Sequence, residues 1–246
     1  MTTTNNQVAE RIMVALDYAY AEQAEALIRS LQGIPCYVKV GMQLFYSAGP
    51  QFISKLKDMG YNIFLDLKMH DIPNTVKGGA ESVTRLGVDM FNVHAAGGKL
   101  MMEAAMEGVD KGLASASQGK RPIVIGVTQL TSTSQKVMND EIGITGTVEN
   151  TVLRYAQLTK AAGLDGVVAS PLEVVSIKQS CGTSFVTVTP GIRPAGSDIG
   201  DQSRVMTPAE AFTQGTDYIV IGRPITAAPD PREVLESIIA SIMASN

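Results

Sequence analysis

Residues 84–98 read Thr84-Arg85-Leu86-Gly87-Val88-Asp89-Met90-Phe91-Asn92-Val93-His94-Ala95-Ala96-Gly97-Gly98. An amphipathic stretch ends at Leu86-Gly87, one acidic residue follows, and a short apolar run leads into a glycine-containing turn. Glycine just past a helix takes the left-handed cap conformation without a Cβ penalty. A brief apolar run bounded by turn residues is a buried strand. The same order recurs. Met59-Gly60, Ala162-Gly163 and Gln214-Gly215 each precede an apolar run, and Asp165 and Asp217 repeat the place of Asp89.

Working outward, the sequence predicts strands at 12–16, 37–40, 63–67, 90–93, 123–127, 166–169, 185–188 and 218–221. Helices are predicted at 21–31, 50–59, 75–86, 100–111, 148–162, 172–179, 208–214 and 231–243. Strands alternating with helices build a parallel sheet, and near-continuous apolar strands suit one covered on both faces. Eight βα units in 246 residues fit an α/β, single-domain (β/α)8 TIM barrel over 1–246, a fold that typically needs about 250 residues. The rival is an open doubly wound sheet. Neither the G-x-G-x-x-G nor the G-x-x-x-x-G-K-[ST] fingerprint of dinucleotide or P-loop binding is present. Two connections, 128–146 and 189–207, are long enough to be functional loops. Both follow strand C-termini, the face where barrel enzymes place their sites.

Apolar residues make up 45% and charged residues 18% of the chain, with a net charge of −4. That composition is globular, and it lacks the basic surplus that nucleic-acid binding needs. Two cysteines, Cys36 and Cys181, do not make a disulfide framework, and with two histidines they do not make a structural zinc site. No run reaches the length of a membrane span, and 1–11 lacks the apolar core of a signal peptide. These features predict a soluble, cytoplasmic protein.

Residues at barrel-strand C-termini point toward the site. In order they are Asp17, Lys39, Asp66, Lys68, His94, Thr128, Ser170, Thr189, Gly222 and Arg223. The densest stretch is 64–75, FLDLKMHDIPNT. On extended backbone Asp66 and Lys68 share a face, and Asp71 lies in the following turn. Either residue alone reads as a barrel-end ion pair. The pair beside Lys39 on the next strand reads as function, because an inward charge needs a partner or a substrate. A lysine among carboxylates favours its ammonium form. That suits a proton donor and not a Schiff-base nucleophile. At the other end, Gly222-Arg223 after the eighth strand occupies the usual barrel phosphate position. His70 and His94 read as structural hydrogen-bonding residues, and Met101, Met102 and Met106 as helix packing. Thr145 to Glu149 reads as a helix start, and Asp198 and Asp201 as solvated loop charges.

The segment Asp66-Leu67-Lys68-Met69-His70-Asp71-Ile72-Pro73-Asn74-Thr75 resembles the D-x-K-x-x-D signature of the orotidine 5′-monophosphate decarboxylase superfamily. The likeness continues through Val14-Ala15-Leu16-Asp17, Val38-Lys39-Val40-Gly41, Asn92-Val93-His94-Ala95, Leu130-Thr131-Ser132, residues 189–194 (TPGIRP) and Ile221-Gly222-Arg223-Pro224. It covers nearly the whole chain and is nearest the decarboxylase branch of bacterial size. The resemblance implies removal of the C6 carboxylate of orotidine 5′-monophosphate to give uridine 5′-monophosphate, with neither metal nor organic cofactor. By similarity Lys68 is the proton donor, within an array of Lys39, Asp66, Lys68 and Asp71. Asp71 and Ile72 would reach the site of a partner subunit in a homodimer. Asp17 and Lys39 would contact ribose, with Asn74 and Thr75 beside them, Thr75 coming from the partner. Thr131 would contact the pyrimidine. Gln202, Gly222 and Arg223 would hold the phosphate, and Arg193 would anchor the loop over it. The alternatives are a metal-dependent sugar-phosphate decarboxylase or aldolase of the same superfamily, a Schiff-base aldolase on Lys68, or a non-catalytic binding barrel.

Overall fold

The computed structural model describes residues 3–115, 119–194 and 205–245. Its strands are β1 (Ile12–Ala15), β2 (Tyr37–Gly41), β3 (Asn62–Met69), β4 (Met90–His94), β5 (Ile123–Val127), β6 (Gly166–Val168), β7 (Val186–Thr189) and β8 (Tyr218–Ile221). They pair in parallel and in chain order, and β8 returns to β1 to close the barrel. The helices are α1 (Thr3–Ala9), α2 (Ala21–Ser30), α3 (Met42–Ala48), α4 (Pro50–Asp58), α5 (Pro73–Arg85), α6 (Lys99–Ala114), α7 (Val148–Ala161), α8 (Val174–Cys181), α9 (Pro208–Thr213), α10 (Arg223–Thr226) and α11 (Pro231–Ala244). The predicted barrel is the barrel observed.

Three helices fall outside the expected pattern. The stretches α1 and α3 have seven residues each and α10 has four, too short for a 3.6-residue period to declare itself. The 128–146 connection is also more ordered than a bare loop. Val137–Glu141 forms a π-helical turn with Met138 fully buried. The Gln135 and Asn139 amides both donate to the Gly146 carbonyl.

Side chains alternate across each strand, so the core has two compartments. Met13, Ala15, Tyr37, Phe64, Met90, Ile125, Val188 and Val220 fill the barrel interior. The outward set, including Val14, Val38, Leu65 and Phe91, packs under the helices. Both cysteines are buried and free, and burial pushes the Cys36 thiol up to about 12.

The repeated aspartates have a structural reason. Asp89 Oδ2 accepts from the Ile63 amide at 2.8 Å and from Lys57 at 2.7 Å. Asp165 accepts from the Val124 amide and Arg121, and Asp217 from the Thr187 amide and Lys178. Each carboxylate closes the start of the strand before it and pairs with a cation. These clamps occupy the strand N-termini, the barrel face associated with stability, and leave the C-terminal face for a site.

Candidate active site

A cavity of about 610 Å³ opens at the C-terminal ends of the strands, within the range of small-molecule sites. Ala15, Phe64, Val127, Val168 and Val220 form its apolar floor, and Asp17, Lys39, Asp66 and Lys68 rise from one side. Gln129, Thr131 and Ser132 come from the connection after β5, Pro190, Gly191 and Arg193 from that after β7, and Gly222 and Arg223 from the end of β8.

The charged side is one continuous network. Lys39 Nζ lies 3.0 Å from Asp17 Oδ1 and 3.4 Å from Asp66 Oδ2. Lys68 Nζ lies 2.7 Å from Asp66 Oδ1. Asp66 is therefore held between two ammonium groups, and the Asn92 amide also donates to it at 2.7 Å. Burial alone would raise the Asp66 carboxyl, but Lys39, Lys68 and Asn92 together hold it below its ordinary range. Burial likewise opposes the Lys39 charge, and Asp66 and Asp17 outweigh it, so its pKa is raised. Both groups stay ionised through neutral pH. A Cβ on Gly41 would come within 3.3 Å of Lys39 Nζ, so a bare backbone lets the lysine lie flat against β2.

Lys68 departs from the expected extended geometry. It is the sole non-glycine with positive φ among the described residues, at 51°, where a Cβ crowds the following carbonyl. The register between β3 and β4 shifts there, from Leu65 opposite Phe91 to Met69 opposite Val93. The shared face that the spacing predicts is thus reached through a bulge, a device that re-aims side chains next to active sites.

Of the residues singled out from sequence, the structure brings Asp17, Lys39, Asp66, Lys68, Thr131, Arg193, Gly222 and Arg223 around one cavity. Asp71, Ile72, Asn74 and Thr75 are exposed and stand outside it. The Asp71 carboxylate accepts from the neighbouring Ile72 amide. Pro73 opens α5 with Ile72 at the N-cap and no side-chain cap, so the start placed at Thr75 moves two residues earlier. Gln202, Asp198 and Asp201 lie outside the described residues. Three strand-end residues are engaged in hydrogen bonds within the scaffold. Thr128 donates to the Val168 carbonyl, Thr189 bonds Thr216, and Ser170 forms a capping box with Glu173. His94 rests its ring 5.4 Å from that of His70, and burial, with His70 and Lys68 nearby, lowers its pKa. Sequence reasoning passed over Gln129 and assigned no role to Ser132 or Asn92, although both stand in stretches that carry the resemblance. The available signal for Asn92 was an amide in the middle of an otherwise apolar strand.

Comparison with known proteins agrees with this geometry. An orotidine 5′-phosphate decarboxylase of Bacillus cereus is 53% identical over 232 residues, covering 94% of this chain and 96% of the relative. The crystal structure of orotidine 5′-phosphate decarboxylase from Lactobacillus acidophilus superposes with a TM-score of 0.84 at 43% identity, covering 94% and 98% of the two chains. A Geobacillus kaustophilus protein of uncharacterized function superposes with a TM-score of 0.83 at 44% identity, covering 94% and 99%. The orotidine 5′-phosphate decarboxylase / HUMPS family model matches residues 10–238. With that match spanning the barrel from β1 into α11, the chain belongs to the orotidine 5′-phosphate decarboxylase / HUMPS family.

Proposed function

We propose that this chain decarboxylates orotidine 5′-monophosphate to uridine 5′-monophosphate and CO2, a step of pyrimidine nucleotide synthesis. The observation that carries the reading is the Lys39–Asp66–Lys68 network on one side of a cavity that also holds Gly222-Arg223. The first is built for a developing negative charge and the second for a remote phosphate.

The chemistry follows from the residues. Loss of CO2 breaks the bond to C6 and leaves its electron pair on a carbon with no conjugated sink. Fixed charges must then stabilise it, and preorganised electrostatics is often the largest single contribution to catalysis. Lys68 Nζ offers both a positive charge and a proton, so it stabilises the carbanion and then transfers its proton to C6. Asp66 and Lys39 hold Lys68 in place, while Asp17 and Lys39 engage the ribose and Thr131 the pyrimidine. Arg223 presents a planar fork to the phosphate, and Gly222 permits close backbone approach. Arg193 anchors the chain above the phosphate. Gripping that distant group lets its binding energy lower the barrier at C6.

Asp71 supports a site shared between subunits. In one chain its carboxylate is exposed, accepts from the Ile72 amide and does not line the cavity that holds Lys68, which fits a role across a homodimer interface together with Ile72, Asn74 and Thr75. The metal-dependent sugar-phosphate alternative is not favoured, because Asp66 already faces two ammonium groups that would repel a cation. The deciding measurement is loss of substrate absorbance with purified protein in EDTA. Turnover supports the reading. No turnover, or turnover restored only by a divalent metal, overturns it.

A further inference from the structure

We infer that Asn92 is a positioning residue, the side chain that holds Lys68 in its left-handed conformation and sets the Lys68–Asp66 contact. The inference rests on the decarboxylase reading for its kinetic consequence but not for its geometry.

Between Leu65 and Met69 the chain of β3 advances four residues while β4 advances two, from Phe91 to Val93. The ladder has no regular partner for the residues of the bulge. Asn92 fills the gap. It is buried, 1% exposed, and its two polar ends divide the work. Oδ1 accepts from the Lys68 backbone amide at 2.8 Å. Nδ2 donates to Asp66 Oδ1 at 2.7 Å, the same oxygen that receives Lys68 Nζ. One planar amide thus ties down the backbone and the counter-ion of the same lysine. Rotating it by half a turn would set donor against donor at Lys68 and oxygen against carboxylate at Asp66, so its chemistry admits one orientation. A lysine does not choose positive φ unaided, and strain of this kind persists where surrounding structure over-determines it. Asn92 does not line the cavity, so it acts through Lys68 and not on substrate.

The test replaces Asn92 with Leu, which has similar volume and no polar atom, in the full-length protein. Misplacing a reacting group by about 1 Å can cost roughly a hundredfold in rate. We expect kcat to fall by about that factor, while uridine 5′-monophosphate binds within roughly threefold of wild type, since the product is gripped elsewhere. A crystal structure of the variant should show Lys68 outside positive φ or Nζ moved off Asp66. If Asn92→Leu does not fold, Asn92→Ser and Asn92→Ala carry the same comparison with less bulk. The inference is overturned by a folded variant with near-normal kcat, by equal losses of kcat and product affinity, or by Lys68 unmoved in the variant structure. A wild-type protein that fails to turn over orotidine 5′-monophosphate would sink the decarboxylase reading. The position of Lys68 in the variant would still decide the role of Asn92.

Discussion

Lys68 sits at φ 51° with its ammonium on Asp66, a conformation an L-residue other than glycine adopts at a cost of about 1–2 kcal/mol. In the proposed mechanism that strain aims the proton donor, and it makes function and stability separable. Lys68→Ala and Lys68→Gly should both lower kcat by at least about a hundredfold, while Lys68→Gly should be the more stable of the two by about 1 kcal/mol in urea denaturation. Equal stabilities would show the positive φ to be unstrained. Asp66 carries a pH signature. Its folded carboxyl titrates below its ordinary 3.8, so its contribution to stability is present above that pH and is lost as pH falls through the folded value. The stability gap between wild type and Asp66→Asn should therefore be widest near neutrality and close on acidification. A gap that stays constant down the acid limb would remove Asp66 from the linkage. Arg223→Ala should lower kcat/KM for the phosphorylated substrate roughly tenfold to a hundredfold, the scale of a hydrogen bond to a charged group. Turnover of the nucleoside lacking phosphate should barely change, and parallel losses would make Arg223 structural.

The elements that carry the site are braced by tight contacts elsewhere. Helix α5 begins at the exposed 71–75 segment and packs against α6 through two glycines one turn apart. A Cβ on Gly108 would lie 2.2 Å from the Lys77 carbonyl, and one on Gly112 would lie 2.6 Å from Thr84 Cβ. The first obstacle is backbone and cannot rotate aside. Gly108→Ala should destabilise the fold by about 1–3 kcal/mol, the usual cost of overpacking, measured as a lower urea midpoint. An unchanged midpoint would mean that α6 lifts from α5 freely. At this scale the sequence was legible where strands were long and apolar, and β5 and β8 fall at their expected limits. It was least legible at β3, where a register shift depends on the facing strand. Short helices such as α10 also escaped, because a single turn shows no period.

At the scale of the whole molecule, the loops and helices after several strands leave large apolar side chains exposed. Tyr46, Ile72 and Leu100, which follow β2, β3 and β4, are 72%, 67% and 75% exposed, and Asp71 is exposed and outside the cavity that Lys68 lines. A two-fold partner that supplies Asp71 predicts complementation. Mixing Lys68→Ala with Asp71→Ala protein, with brief dissociation and random exchange, makes about half the dimers mixed. One of the two sites in each mixed dimer is then intact. Activity should recover to roughly a quarter of wild type. Verified exchange with activity no higher than that of either parent would place Asp71 within its own chain.

The sequence by itself determined the barrel, since apolar runs, helix-ending glycines and the recurring aspartates are local signals that repeat along the chain. It also determined which charged residues gather, because strand ends in a parallel barrel converge on one face. Tertiary structure alone decided how they meet. The left-handed turn at Lys68, the Asn92 amide beneath it and the separation of Asp71 from the cavity all depend on which atoms of distant strands come within hydrogen-bond reach. Spacing along one strand carries no information about the register of its neighbour, and that register is set by packing the closed barrel as a whole.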